Sequence, residues 1–188
     1  MNIAVPLSEA YSYSGQFELS FDNKLTTLPV LPVEWTVTFD FIPDTSYDRI
    51  DWTGQGAWLN VLHVTSDSCG GPTLCRVPAV FFNPIDGNGI YVQWRHDSFG
   101  PHYIWDLDWS LSDWTKVEIS QELEGNEVVC KVNINGVEKF REKNMVARKL
   151  TNLDVYASDP WHLADPALGH VRDLLIQIKE DPKPRIGN

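Results

Sequence analysis

The sequence predicts an all-β protein, an antiparallel β-sandwich with jelly-roll connections. Three observations carry that reading. Apolar side chains recur at every second position in segment after segment, turn-forming pairs separate the segments, and almost nothing follows a helical period. About a dozen strands, each with an apolar face, need a second sheet to cover those faces, which favours a sandwich.

The elements follow in order. Phe17, Leu19 and Phe21 alternate with Glu18 and Ser20. Trp35, Val37, Phe39 and Phe41 alternate with Thr36, Thr38 and Asp40, and Pro43 ends that strand because it brings no amide to a ladder. Trp58–Thr65 is mostly apolar, as a strand covered on both faces must be. His63 within it reads as a satisfied core histidine. Pro78–Phe82 and Ile90–Arg95 flank Asp86-Gly87-Asn88-Gly89, a turn signal. Tyr103–Trp109 comes next. Val117, Ile119, Gln121 and Leu123 form a strand ended by Glu124-Gly125-Asn126. Val128–Ile134 meets the hairpin signal Asn135-Gly136, and Val137–Phe140 returns from it. Leu153 and Val155 share one face of a further strand, with Asp154 and Tyr156 on the other. The last strand sets Leu174, Ile176 and Ile178 against Asp173, Leu175 and Gln177. Glu142–Leu150 is the one helix candidate.

The 188 residues suit one domain, 1–188, with a core of about 15–179 and a polar, Pro-rich tail expected to fray. With 43% hydrophobic and 22% charged residues the chain is globular. The net charge is 15 − 26 = −11, which argues against nucleic acid and against anionic membrane surfaces. No apolar run reaches membrane-spanning length, so no membrane insertion is expected. The segment after Met1 lacks the basic start and apolar stretch of a signal peptide. The chain is then either cytosolic or a mature form with an added Met1. Cys69 and Cys75 bracket a Gly-Gly-Pro loop, a spacing that a disulfide can close; the other reading is two unpaired loop thiols. Cys130, in phase with Val132 and Ile134, reads as a buried free thiol. The histidines and cysteines have no zinc spacing.

Several segments in order (EWTVTFDFIP, WLNVLHVTSD, RVPAVFFNP with GIYVQW, SDWTKVEISQ, VNINGVE, and LDVYASDPW with GHVRDLLIQI) resemble the laminin G-like branch of the concanavalin A-like lectin/glucanase superfamily. The resemblance spans roughly Phe17–Ile178. It implies a curved β-sandwich, an extracellular recognition module binding glycans or proteins, and in some members calcium at a loop rim. It does not transmit a ligand.

Catalysis finds little support. The superfamily's hydrolases place carboxylates as Glu-x-Asp-x-Glu, and the chain has no such triplet. Asp106 and Asp108 share a strand face, as a glycosidase pair must, but they read as a solvated outer face opposite Tyr103, Trp105, Leu107 and Trp109. A lyase would use Tyr91 with Arg95, and its motifs are unmatched. The alternatives to a recognition module are therefore a carbohydrate-active enzyme or a structural or assembly domain of a matrix or toxin-like protein.

The best ligand face is the hairpin around Ile90–Trp109. Ile90, Val92 and Trp94 should face the core, leaving Tyr91, Gln93 and Arg95 outward with His102 and Asp106 beside them. A ring stacks on sugar CH groups, and planar amide, guanidinium and carboxylate groups bond hydroxyls in pairs. The plainer reading is an ordinary polar face. Trp52, in a Gly-rich loop, is a second stacking candidate. Asp159, with Asp165, is a candidate calcium rim, since Asp-Pro loops supply carboxylates and carbonyls; a simple turn is the other reading. One expectation is directly testable. Digested with trypsin without reduction, the peptide holding Cys69 and Cys75 should emerge two hydrogens light and resist alkylation. Two alkylated thiols would remove the disulfide.

Overall fold

The computed structural model describes residues 7–44, 59–65, 76–83, 89–95, 102–105, 112–158 and 169–179. They form twelve strands and, among the described residues, no helix. The strands are β1 (Leu7–Glu18), β2 (Lys24–Leu31), β3 (Trp35–Pro43), β4 (Leu59–Thr65), β5 (Arg76–Asn83), β6 (Gly89–Arg95), β7 (His102–Trp105), β8 (Thr115–Glu124), β9 (Glu127–Ile134), β10 (Val137–Lys143), β11 (Leu150–Tyr156) and β12 (Gly169–Lys179). The first sheet runs β1-β12-β3-β8-β9-β10 and the second β2-β11-β4-β5-β6-β7. The described pairings are antiparallel. Hairpins build β4–β7 and β8–β10, while β12 and β11 return from far along the chain to lie between earlier strands. That is the jelly-roll pattern, as the sequence predicts.

The core lies between the sheets. Trp35, Val37, Phe39 and Phe41 are each 1% exposed, while Thr36, Thr38 and Asp40 face outward, half-buried. Burial of each such large apolar side chain contributes about 1.5–3 kcal/mol. Phe41 of the first sheet meets Phe82 of the second edge-on at 5.5 Å. Trp94 stacks on Phe140 across the same gap at 5.8 Å. Asn135 and Gly136 both take positive φ, 50° and 79°, as a type I′ hairpin requires.

Several boundaries differ from the sequence reading. β1 ends at Glu18, so Phe21 is in the following turn and 40% exposed. β2 has no clean alternation and escapes the pattern. It carries Pro29, which it tolerates as the edge strand of its sheet. Glu142–Leu150 is not a helix: Glu142 and Lys143 finish β10, and the Asn144 amide then donates to Val128 O at 2.8 Å. β7 is described as His102–Trp105, and residues 106–111 lie outside the described residues.

In β12 the alternation breaks. The register passes from Arg172 opposite Asp40 to Leu175 opposite Thr38, one residue more than β3 supplies. The bulge turns on Asp173, at φ 52°. Val171 and Leu174 both point into the core, and Arg172 and Asp173 both point out.

A buried polar knot ties the sandwich end. Gln121, 2% exposed, donates to Val33 O at 2.6 Å, and its Oε1 accepts from Asn144 Nδ2 at 2.7 Å. Cys130 Sγ lies 3.7 Å from the same oxygen. Cys130 is a buried free thiol, as the sequence predicts, and burial pushes its ionisation far up. Asn144→Ala strips Gln121 of a buried donor and should cost about 1–3 kcal/mol, read as a lower urea midpoint at unchanged slope. An unchanged midpoint would show that the knot does not hold this end.

Candidate functional site

The outer face of the second sheet brings together two of the predicted ligand residues, Tyr91 and Gln93. Register alone builds it. Tyr156 of β11 pairs with His63 of β4, His63 with Ala79 of β5, Ala79 with Gln93 of β6, and Gln93 with His102 of β7. A second row passes from Asn60 through Phe81 and Tyr91 to Ile104. Paired residues of antiparallel strands share a face, so both rows lie on the side away from the core.

Tyr91 and Gln93 share this face, as predicted, and are bonded to each other: the Gln93 amide donates to the Tyr91 hydroxyl. Arg76 Nη1 donates to Gln93 Oε1 at 2.5 Å. The Arg76 guanidinium also sits over the Phe81 ring, 5.1 Å from its centroid. Phe81 in turn lies 5.8 Å from the Tyr91 ring and 6.3 Å from His63. Asn60 Nδ2 is 2.7 Å from His63 Nδ1; with the amide as donor, the ring carries its proton on Nε2. The result is one connected patch of guanidinium, amide, phenol and rings.

The patch is drier than the sequence reading implies. Gln93, expected outward and accessible, is outward but 2% exposed. Its amide spends its hydrogen bonds on Arg76 and Tyr91, so it orients the surface rather than forming it. Tyr91 and Arg76 remain half-buried. His63 and Asn60 are fully buried, and His63 is satisfied by Asn60 as expected of a buried histidine, but on the outer side of the sheet rather than in the core between the sheets.

Arg95 pairs with Arg76, and His102 with Gln93, by backbone register. Their side chains lie outside the described residues, as do Trp52, Cys69, Cys75, Asp106, Asp159 and Asp165. Among the described residues no group of three or more His, Cys, Asp or Glu side chains could hold a metal.

Sequence reasoning missed Arg76, Phe81 and the Asn60–His63 pair. Arg76 stood before Pro78, where no strand was expected, and a bulge between Arg76 and Ala79 hides it from simple alternation.

Toward β2 the face ends in Asp154, the one carboxylate on the strands of this sheet. Burial pushes its carboxyl up. The hydrogen bonds from Lys24, 2.8 Å away, and Thr27 Oγ1, 2.7 Å away, outweigh that and hold it below its ordinary range. A depressed carboxyl gives stability that is present above its unfolded pKa of about 3.9 and lost as pH falls through the lower folded value. Lys24 is 44% exposed, so screening limits the effect to about 0.5–1 kcal/mol. Asp154→Asn should therefore destabilise by that amount at neutral pH and by progressively less below about pH 4 in denaturant titrations. A penalty that stays constant through that window would refute the ion-pair account.

No protein-family model and no curated protein matches the sequence. Solved structures do. A native heptameric SAP-like pentraxin from Limulus polyphemus matches with a TM-score of 0.54 and 14% identity, over 92% of this chain and 77% of its own. The botulinum neurotoxin type G receptor-binding domain matches with a TM-score of 0.58 and 15% identity, over 93% of this chain and 42% of its own. The receptor-binding domain of botulinum neurotoxin D gives a TM-score of 0.56 and 18% identity, over 92% and 45%. This chain spans less than half the length of the toxin domains. The likeness is one of fold, a two-sheet antiparallel jelly roll.

Proposed function

We propose that the chain is a non-catalytic extracellular recognition module of laminin G-like type. It binds a glycan or an extracellular protein on the outer face of the second sheet, around Tyr91 and Gln93. One observation carries the reading: the Arg76–Gln93–Tyr91 relay on the Phe81 ring. A guanidinium and a phenol are held there in fixed orientation by a buried amide, beside aromatic surface. Such groups recognise hydroxyls and CH faces with little ordering cost on binding.

The strands of that sheet carry one carboxylate, Asp154, and Lys24 and Thr27 occupy it. Glycoside hydrolysis needs two facing carboxylates, so this face favours binding over turnover. The receptor-binding toxin domains use the same scaffold, which is compatible with this role. In this proposal Arg95, His102 and Asp106 extend the face, Trp52 adds a stacking ring, and Asp159 with Asp165 forms a calcium rim.

A glycan array run with calcium and again with a chelator tests the reading. Retained binding in both runs supports the Tyr91 face, and loss with the chelator assigns binding to the Asp159 rim. The double variant Tyr91→Ala/Arg95→Ala should weaken glycan binding about tenfold or more while leaving the circular dichroism of the fold intact. Undiminished binding would remove the site. New reducing ends or unsaturated products on polysaccharide incubation would end the non-catalytic reading.

A further inference from the structure

The opposite face of the molecule carries a recess that the reading above does not use. It lies on the outer side of the first sheet, has a volume of about 260 Å³, and is lined by Thr38, Phe39, Asp40, Lys116, Asp173 and Leu175. Its origin is the bulge in β12. The extra residue there swings Asp173 outward and parts Arg172 from Leu175, so the row above Asp40 and Thr38 is left open.

We propose that this recess is a second binding site, and that it takes one ring of a neutral sugar. The size suits it. The volume is just below the range of about 300–1,000 Å³ that holds drug-sized ligands, and is room for roughly eight waters.

The polar groups are prepared for a ligand. Arg172 directs both Nε and Nη2 at a single oxygen of Asp40, Oδ2, each at 3.0 Å. The guanidinium is itself pressed on the Trp114 ring, 4.2 Å from its centroid. Asp40 is thus fixed by one oxygen, and its Oδ1 has no partner among the described residues. Lys116 pairs with Asp40 across the β3–β8 ladder. Its backbone is clamped by Asn135, whose Oδ1 accepts from Lys116 N at 2.9 Å and whose amide donates to Lys116 O at 2.9 Å. Its Nζ has no partner among the described residues, and neither does Thr38 Oγ1. A carboxylate oxygen, an ammonium and a hydroxyl therefore stand on adjacent strands around one opening. Vicinal hydroxyls, each both donor and acceptor, satisfy that set. Leu175 offers an apolar side to the CH face of a ring.

The charge balance selects a neutral ligand. Asp40 and Asp173 on the lining are offset by Lys116 on the lining and by Arg172, which pairs with Asp40 from beside it, while Glu118, opposite Thr38, is engaged by Asn133; the opening therefore carries little net charge on a chain of net −11. An anion or a metal cation would meet no excess of opposite charge.

The test is amide-resolved NMR titration of the whole chain with D-glucose, D-galactose, D-mannose and L-fucose, with D-glucuronate as an anionic control. At least one neutral sugar should produce saturable millimolar shifts at the amides of Thr38, Lys116, Asp173 and Leu175 and at the Trp114 indole. Glucuronate should produce weaker shifts there. Lys116→Ala and Thr38→Val alter only side chains at the surface of the sheet, and together should weaken that binding about tenfold. Absence of saturable shifts at these residues, equal shifts with glucuronate, or undiminished affinity in the double variant would overturn the proposal. Shifts confined to Tyr91 and its neighbours would also overturn it, while leaving the other face's role standing.

Discussion

A strand buried on both faces cannot carry a polar side chain without giving it a partner, and β4 carries Asn60, His63 and Thr65 among seven buried residues. An unpartnered buried polar group costs about 1–3 kcal/mol, so the placement of these side chains is constrained as tightly as that of any core leucine. Asn60 and His63 answer it by bonding each other, and Ser158 Oγ ties in by donating to Asn60 O at 3.1 Å. β4 also sits at the centre of its sheet, between β11 and β5. Whatever fixes His63 therefore fixes the row running outward through Ala79 to Gln93. The Tyr91 face is thus flanked, in the same rows, by buried polar side chains that bond each other.

Legibility in the sequence followed physical circumstance. Period-two alternation was plain where one face is dry and the other wet, as in β3 and in the Leu174–Ile178 stretch. It failed at the edge strand β2, where packing on one side only relaxes the pattern, and at the bulges, where one extra residue reverses the parity. That Tyr91 and Gln93 share a face is a local fact and could be read. That Arg76 and Phe81 join them depends on cross-strand register, which no local window contains. The burial of Gln93 was hidden for a similar reason: an outward polar residue on a strand looks exposed until something is known of the whole sheet. His63 is legible because its immediate neighbours, Leu62 and Val64, are apolar, and Cys130 because it falls in phase with Val128, Val132 and Ile134.

The two outer faces solve different problems. The face of the second sheet is ring-rich and largely dry. On the first sheet, Lys131 bridges Glu122 and Glu124 at 2.8 and 2.6 Å, and Arg141 forks onto Glu124 and Glu138. Hydrogen bonds from Lys131 and Arg141 hold the Glu124 carboxyl below its ordinary range. Exposed pairs of this kind add little stability. Their position explains them better. β10 is the edge strand, its exposed side chains are mostly charged, and such an edge is a poor template for pairing with another chain.

The pairing of β1 with β12 has a mechanical meaning. Leu7 lies opposite Lys179, so the first described residue and the last leave the sandwich at the same corner. The two strands run antiparallel from there, Phe17 reaching Val171 at the far end. A load applied across that corner would meet the ladder rung by rung, opening it like a zipper instead of shearing all its bonds together. Tension along the chain would thus be yielded to first at β1 and β12, while β4 and its buried layer stayed closed.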